Sequence, residues 1–462
     1  MLQIVNTPAR LAILACLVGC TGNEDPVDTD VTEEVPAFSR LRPRLSDAVS
    51  PVRDRIPARV ITHLHSPWSH DACDGDGIVD GEVNAPCLDD LRRGLCDAGI
   101  DLALFSDHPD FASPQSFTDL WHPGASVEPL MRDGTPIGGM LACEDGTRTA
   151  WRPGIEDELM PLGLTEHVAG TPEERHATYN QYDTEALAAM QAAGANVYVA
   201  HTEQRDLADL QTLADAGLTG IEIFNAHAMF SPDIRSQHLG LDGLGWTNDI
   251  GPFTRVDGLA EPDLLFLGVL EIQRPSIEAF DDLLQQGPIV GIAGTDAHQN
   301  VLRLELRDGE RLDSYRRALT WFSNYVYADP SDPLQVEQAL ARGESAVVFE
   351  VMGIPDGFDL YLDGDGITEM GGTGTGGDLV VGCPVLSDAS NQGPDTPEVF
   401  VSVLKDGALW QSDCGRFPTD GPGVYRVQVD MVPHHLAPYL GDEPETFMRP
   451  FPWVLSNAIR VQ

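Results

Sequence analysis

Positive charge is scarce in this sequence. Lys and Arg together number 28 of the 462 residues, Asp and Glu number 73, and the formal net charge is −45. This imbalance argues against nucleic acid and anionic membrane surfaces as partners, because both carry the same sign of charge as the protein. An anionic small-molecule substrate would need local attraction from bound cations or from a few arginines.

Closely spaced cysteine pairs are also missing. No CxxC pair occurs, which argues against a zinc–thiolate site. Six cysteines follow Cys20, and an even number in an exported chain favours disulfides. We expect Cys383 to pair with Cys414, Cys73 with Cys87 across a Gly-rich loop, and, by elimination, Cys96 with Cys143. Six cysteines allow fifteen connectivities, so the sequence leaves the pattern open.

Long apolar runs are absent as well. The run Leu11–Gly19 is too short to span a bilayer comfortably and ends directly before Cys20. It resembles the signal of a bacterial lipoprotein, which implies cleavage before Cys20, acylation of its thiol, and an exported, lipid-anchored protein on a bacterial membrane. An ordinary signal peptide and a short membrane helix are the alternatives. Residues 1–19 are thus interpreted as the signal peptide and residues 20–55 as a flexible acidic tether.

The remaining sequence predicts an α/β fold. Apolar, strand-like runs alternate with helical patterns over residues 56–345, which is typical of a parallel α/β barrel. Predicted strands fall at residues 59–63, 101–105, 140–143, 196–200, 220–224, 264–270 and 288–293. An amphipathic helix over Pro333–Gly343 would close the barrel. Residues 346–462, with Gly-rich turns and alternating runs, predict a small all-β sandwich domain.

Imidazoles and carboxylates stand at or just after the ends of several predicted strands. The spacing of His63 and His65, and of Asp296 and His298, places both side chains of each pair on one face of a strand. α/β barrels carry their chemistry at the carboxyl ends of their strands. Gathering neutral imidazole and carboxylate there predicts a metal site with several ions. Its candidate ligands are His63, His65, His70, His108, Glu144, His201, Asp296 and His298.

Five segments together resemble the polymerase and histidinol phosphatase (PHP) family of metallohydrolases. They are His63-Leu64-His65-Ser66-Pro67-Trp68-Ser69-His70, Phe105-Ser106-Asp107-His108, Cys143-Glu144, Val199-Ala200-His201 and Gly294-Thr295-Asp296-Ala297-His298. The resemblance implies a distorted seven-stranded (β/α) barrel. It also implies two or three divalent ions, commonly zinc, manganese or iron.

The same resemblance assigns ligands to each ion. One ion would be held by His63, His65, Glu144 and Asp296, a second by His70, His108 and His298, and a third by Glu144 with His201. At position 70 many relatives have Asp, although His is also used. The family's third site usually has one more histidine, for which the candidates here are Glu158, His167 and His176.

The chemistry implied is metal-assisted hydrolysis by a hydroxide that bridges two ions, most simply of a phosphoester. A GxSxG nucleophile motif is absent. Catalytic roles would fall to Glu144, His298 and Asp107, the last by orienting His108, although a plain turn role fits Asp107 equally well. Substrate contacts are expected from Arg148, Arg205 and Asn225, with Arg152 and Arg175 as further candidates for binding phosphate.

Two alternatives stay open, and a third, the amidohydrolase barrel, is disfavoured by the position of the only lysine. The same ions could hydrolyse a carbamate, an amide or a carboxylic ester, and Pro452-Trp453 and Ser456-Asn457 resemble the closing motif of the carbaryl-hydrolase branch of PHP-like proteins. The chain could also be a surface binding module that keeps metals only for structure. Amidohydrolase barrels also begin with HxH but usually bridge their ions with a carbamylated lysine. The only lysine here is Lys405, outside the predicted barrel.

A second cation site is suggested by the loop over residues 74–82. Asp74, Asp76 and Asp80 alternate as in acidic, Gly-broken calcium loops. A full EF-hand pattern is absent, so a solvated turn closed by Cys73 and Cys87 is the competing interpretation.

Overall fold

A large mixed sheet organises the fold. The computed structural model describes residues 35–462, which form a single compact α/β unit with 17 strands in the main sheet. The predicted signal peptide and the lipidation site Cys20 lie outside the described residues. Within residues 35–462, no helix has both the length and the apolar character needed to cross a membrane.

Seven strands of this sheet form a ring. In chain order they are β1 (Ala58–Leu64), β2 (Leu102–Phe105), β3 (Arg148–Arg152), β4 (Leu159–Leu162), β5 (Asn196–Val199), β6 (Gly220–Asn225) and β7 (Val290–Ala297). Parallel pairing joins β5, β6, β7, β1, β2 and β3 in that order, and β4 pairs antiparallel with β5. The backbone N–H of Ile155, just after β3, donates to Pro161 of β4 at 3.2 Å and closes the circle.

Helices connect the strands of the ring and flank it. Their larger members are Ala85–Asp97, Pro172–Tyr179, Thr184–Ala192, Leu207–Asp215, Arg274–Gln286 and Pro333–Ala341, and the shorter ones are Leu45–Ala48, Pro109–Ala112, Ala226–Phe230, Pro232–Gln237, Trp246–Asp249, Gly251–Thr254 and Tyr315–Leu319. Thr171 and Glu174 form a capping box at the start of one helix, with Pro172 at its first position. Gly194, with φ +89°, follows another helix and supplies the left-handed residue that such ends favour.

Two predicted strands turn out differently. Residues 264–268 of the predicted strand 264–270 belong to a buried 3-10 helix, Pro262–Gly268, because a short apolar run without periodicity fits a buried helix as well as a strand. Residues 140–142 lie in a strand, Thr135–Ala142, that pairs antiparallel with Val127–Arg132 and with β3. This hairpin is inserted between β2 and β3, and the strand Thr135–Ala142 runs antiparallel to β3.

The C-terminal strands continue the main sheet. Ser323–Val326 pairs antiparallel with the first half of β1, and Ser345–Val348, Phe451–Ser456, Gly423–Val432, Glu398–Lys405 and Ala408–Gln411 follow in turn. Ile459–Val461 joins Gly423–Val432 and Thr373–Gly374. A separate four-stranded sheet contains Ile367–Glu369, Asp359–Asp363, Asp378–Gly382 and Gly415–Pro418. Two-stranded pairs join Ile78–Val79 to Glu82–Val83 and Pro355–Asp356 to Val385–Leu386. Hydrogen bonding is therefore continuous across the predicted domain boundary at residue 345.

Residues 35–55, the described part of the predicted tether, pack against the rest of the chain. Arg44 donates to Asp101 at 2.9 Å, and Arg53 forms ion pairs with Asp359 and Glu369. The prediction of a flexible tether is thus wrong for this part, because its arginines find carboxylate partners that composition alone does not reveal.

Disulfides form in the expected pattern, Cys73–Cys87, Cys96–Cys143 and Cys383–Cys414. The first joins the loop after β1 to the helix Ala85–Asp97, and the second joins that helix to the end of the hairpin strand.

Candidate metal centre

Histidines and carboxylates converge at the carboxyl ends of the ring strands. Three overlapping groups have ligand atoms within 4.8 Å of one another: His63 with His65 and Asp296, His65 with His108 and His298, and His63 with Glu156 and His201. A fourth, more exposed group at the rim combines His70, Asp71 and His108. Strands β1 and β7 and the segments that follow β1, β2, β3, β5 and β7 supply these side chains, so the ring brings together residues more than 230 positions apart.

Asp296 lies at the middle of the cluster. Its Oδ1 is 3.4 Å from Nε2 of His63, 3.5 Å from Nε2 of His65 and 3.2 Å from Nδ1 of His298, and its Oδ2 is 3.5 Å from Nε2 of His201. Two ligand atoms bound tetrahedrally to one ion at about 2.1 Å lie about 3.4 Å apart. The separations from Asp296 to Nε2 of His63, His65 and His201 therefore match those of atoms that share an ion.

Hydrogen bonds fix which nitrogen faces the cluster in four of the histidines. Nδ1 of His63 donates to Glu222 at 2.6 Å, and Nδ1 of His298 donates to the Asp296 carbonyl at 2.9 Å. Nδ1 of His108 donates to the Glu156 carbonyl at 3.1 Å. Nδ1 of His65 donates to Ser69 Oγ at 2.7 Å, because that hydroxyl gives its own proton to a carboxylate. Each ring thus keeps the lone pair of Nε2 for a ligand role.

Nitrogens facing the cluster are left without partners. Within residues 35–462, the buried Nε2 atoms of His63, His65 and His298 have no hydrogen-bond partner. Buried polar atoms without partners are costly and call for an ion or a water. Lone pairs on imidazole together with carboxylate oxygens are a donor set that zinc, manganese and iron accept. The residues present therefore fit divalent metal ions.

The backbone is strained at three of these residues. His63, His201 and Asp296 have φ values of +53°, +52° and +49°, in the left-handed region that residues other than glycine rarely adopt. The pairing of β1 with its parallel neighbours β7 and β2 shifts register just before Leu64, where His63 lies. Such strain concentrates at functional sites, where the surrounding structure holds side chains in a required direction.

Electrostatics separate the histidines into two classes. Burial lowers the pKa of His65 well below its ordinary value, and burial also lowers the pKa of His298. Burial likewise opposes protonation of His63, but Asp296 and Glu222 outweigh it and raise the pKa to about 10. For His201, contacts with Glu203 and Asp296 outweigh burial and raise the pKa to about 9. The carboxylates therefore create a negative potential that a bound cation would neutralise.

Asp107 supports the cluster from behind. It is buried and accepts hydrogen bonds from the backbone N–H of Ser66 at 2.6 Å, from Ser66 Oγ at 2.8 Å and from Ser69 Oγ at 3.2 Å. Burial raises its pKa to about 6, although these hydrogen bonds oppose the rise. Ser69 Oγ also accepts from His65 and from the backbone N–H of His108. Asp107 therefore holds His65 through Ser69, and its predicted contact with the His108 ring is replaced by this indirect one.

The predicted bridging glutamate is wrong. Glu144 is exposed in the turn before β3, at the amino end of that strand, and it belongs to none of the ligand groups. Glu156, in the segment after β3, lies among the histidines where Glu144 was expected. Its Oε2 is 3.0 Å from Nδ1 of His108 and its Oε1 is 3.7 Å from Nε2 of His201. The prediction failed because the strand before Glu144 is the antiparallel hairpin strand.

Two further carboxylates were missed. Asp71 lies 3.7 Å from Nε2 of His108 and 3.3 Å from Nε2 of His298, next to the predicted ligand His70. His70 is itself half-exposed and pairs with Asp110 at 3.4 Å. Glu222 is buried in the middle of the apolar strand β6. A carboxylate in an otherwise apolar strand is rare without a charged or polar partner, so Glu222 could have been recognised from the sequence.

The three candidates for a third-site ligand lie apart from the cluster. His167 is buried, with Nδ1 3.3 Å from the Tyr179 hydroxyl, and its pKa is lowered to about 4 by burial. His176 contacts Asp110 at 3.4 Å, and Glu158 pairs with Arg205 at 3.1 Å. None joins a ligand group among the described residues, where His201 is grouped with His63 and Glu156.

Most of the predicted substrate contacts are engaged elsewhere. Arg148 pairs with Glu128 at the amino end of β3, and Arg152 is buried against Glu337 at 2.7 Å. Arg205 stays near the centre, one loop after His201, but is paired with Glu158. Asn225 is buried behind His63, where its Nδ2 donates to Glu222 at 3.0 Å. Asn225 therefore orients a ligand and does not face a substrate.

The predicted calcium loop uses its carboxylates otherwise. Asp74 accepts from Arg311 at 2.5 Å and from Arg303 at 2.8 Å, and Asp76 lies 3.3 Å from Arg303. Asp80 is exposed, and none of the three belongs to a ligand group among residues 35–462. The loop is thus held by arginines, which occupy the oxygens that calcium would need.

Comparisons with known proteins add no family assignment. No family model matches the chain, and no curated protein matches it.

Proposed function

We propose that this protein is a metal-dependent hydrolase of the PHP type, acting on phosphoesters. The observation that carries the proposal is the set of buried Nε2 atoms without partners around Asp296. Hydrogen bonds on the opposite ring nitrogens keep these lone pairs directed at one space. A purely structural core would satisfy such atoms internally.

Divalent ions bound there would lower the pKa of a coordinated water and polarise the oxygen of an ester. The chain's own residues have distinct tasks in this proposal. Asp296 lies beside Nε2 of His63 and of His65 through one oxygen and beside Nε2 of His201 through the other. Glu156 is grouped with His63 and His201, whereas His65 is grouped with His108 and His298. Two separate groups beside one central carboxylate favour a centre of at least two ions over a single one.

The finer fold assignment is part of the same proposal. We interpret the ring β1 to β7 as the distorted (β/α)7 barrel of PHP proteins, with β4 as its reversed strand, and the strands beyond residue 345 as a β-sandwich fused to it. The resemblance of five sequence segments supports this interpretation, corrected so that Glu156 replaces Glu144. Export and lipid attachment at Cys20 are likewise proposed from the sequence. Incorporation of labelled fatty acid, lost in Cys20→Ser, is the test of that attachment.

Metal analysis followed by an activity screen tests the hydrolase proposal. We expect protein from residue 21 onward to contain at least two equivalents of zinc, manganese or iron, and to cleave phosphomonoesters or phosphodiesters. His65→Ala should lose metal and at least 100-fold in kcat/KM, whereas the exposed His238→Ala should match the wild type. Metal-free protein, or full activity in His65→Ala, would contradict the proposal. Cleavage of carboxylic esters but not of phosphoesters would change the proposed substrate class to carboxylic esters.

A further inference from the structure

A small cavity with one apolar wall lies directly beside the metal centre. Its lining includes the polar residues His227, Thr295, Asp296 and His298 and an apolar wall of Phe230, Leu312, Ala318 and Trp321. The cavity measures about 30 Å³, roughly twice what one water-sized sphere needs. It therefore has room for a group of about two or three non-hydrogen atoms next to the proposed reaction site.

The apolar wall is firmly supported. Trp321 stacks on Phe266 with ring centroids 4.7 Å apart and contacts Phe230 at 5.8 Å. Leu312 and Ala318 are buried beside them. Because these side chains are packed from behind, the cavity is a fixed feature of the fold and not a gap that neighbouring side chains would fill.

No free charge faces the cavity from this wall. Asp313 also lines it, but its Oδ2 accepts from the backbone N–H groups of Val301 and Leu302 at 2.7 and 3.1 Å. Its Oδ1 accepts from Arg311 at 2.9 Å. A charged group placed against this wall would lose hydration without meeting an opposite charge there. The occupant that fits against this wall is uncharged.

We propose that this cavity is a substrate subsite for the compact, uncharged alkyl group of an ester whose reacting group lies at the metal centre. The inference rests on the proposed function, because Asp296 and His298 connect the two places. It narrows the substrate class to esters with a short alkyl group, of about two or three carbons, close to the reacting phosphorus. Sugar phosphates and nucleotides, which carry polar groups in that position, fit the cavity poorly.

Binding of alkylphosphonates to the metal-loaded protein tests the subsite independently of turnover. From methyl- to ethyl- to isopropylphosphonate, Kd should fall about fourfold for each added carbon, and it should rise again for octylphosphonate. Ala318→Leu fills the cavity and should remove this trend. Ala208→Leu, on an exposed helix position, is the matched control and should keep it.

A second variant protects the test against misfolding. Phe230→Ala enlarges the cavity and should shift the tightest binding to longer alkyl chains. Equal Kd for all short alkylphosphonates in the wild type, or loss of the trend in Ala208→Leu, would overturn the subsite. A trend in Kd without hydrolysis of any ester would uphold the subsite and reject the proposed hydrolase. Hydrolysis of an ester without a trend in Kd would uphold the proposed hydrolase and reject the subsite.

Discussion

Replacing Glu222 by Gln is the sharpest test of how the metal centre is held. Glu222 accepts three hydrogen bonds, from Nδ1 of His63 at 2.6 Å, from the backbone N–H of His201 at 2.8 Å and from Nδ2 of Asn225 at 3.0 Å. Gln has the same shape but only one accepting oxygen. If that oxygen serves His63, the amide NH2 must face two other donors.

The size of the effect follows from these contacts. Loss of a partner that orients a ligand weakens metal binding by about 10- to 100-fold. With metal in excess, that change removes about 1.4 to 2.7 kcal/mol of metal-linked stabilisation. Two buried donors left facing an NH2 group, at about 1–3 kcal/mol each, should also cost the metal-free protein about 2–6 kcal/mol.

Metal titration and thermal unfolding, each with and without metal, measure the two effects separately. The matched control is Glu350→Gln, which removes a buried carboxylate that pairs with Arg59 at 2.8 Å and is absent from the ligand groups. This control should lower stability yet keep the metal affinity of the wild type. Unchanged metal affinity in Glu222→Gln would refute the role of Glu222 in orienting His63.

Three other outcomes are expected. In equilibrium dialysis, Glu156→Ala should lose at least tenfold in metal affinity, whereas Glu144→Ala should bind metal like the wild type. Equal losses of affinity in the two variants would show that Glu144 belongs to the metal centre after all. Calcium should not raise the melting temperature, since arginines occupy Asp74 in the loop of residues 74–82; a rise that disappears in Asp74→Asn would contradict this. Burial raises the pKa of Asp263, but ion pairs with Arg316 and Arg317 outweigh it and lower the pKa. The stability that Asp263 contributes is therefore present above about pH 4 and lost as the pH falls further. In urea unfolding, Asp263→Asn should be less stable than the wild type at pH 7, with a difference that shrinks below pH 4; a difference independent of pH would disprove the linkage.

The histidines of the cluster were predictable because each follows an apolar run that forms a ring strand. His63, His65 and His201 come at or just after such runs, and Asp296 and His298 repeat the alternate spacing. In a parallel ring the carboxyl ends of the strands meet, so position along a strand already determines proximity.

The glutamate could not be located by the same reasoning. Glu144 and Glu156 both follow strands, but one strand runs antiparallel and carries its end to the opposite side of the sheet. Strand direction depends on pairing between distant segments, which the local pattern around Glu144 does not contain. Glu156 is further hidden by Pro153 and Gly154, which interrupt the apolar run before it.

Asn457 has a consequence for how the protein matures. Its Oδ1 accepts from the Gly291 N–H at 2.8 Å, and its Nδ2 donates to the carbonyls of Gly291 and Ser345 at 3.0 and 3.1 Å. Asn457 thus completes the hydrogen bonding of β7, the strand that carries Asp296, from 166 positions beyond Gly291. During synthesis this support forms only after Asn457 has been added. Ion loading should therefore follow the synthesis of Asn457, and a ribosome-bound nascent chain ending before Asn457 should bind metal weakly.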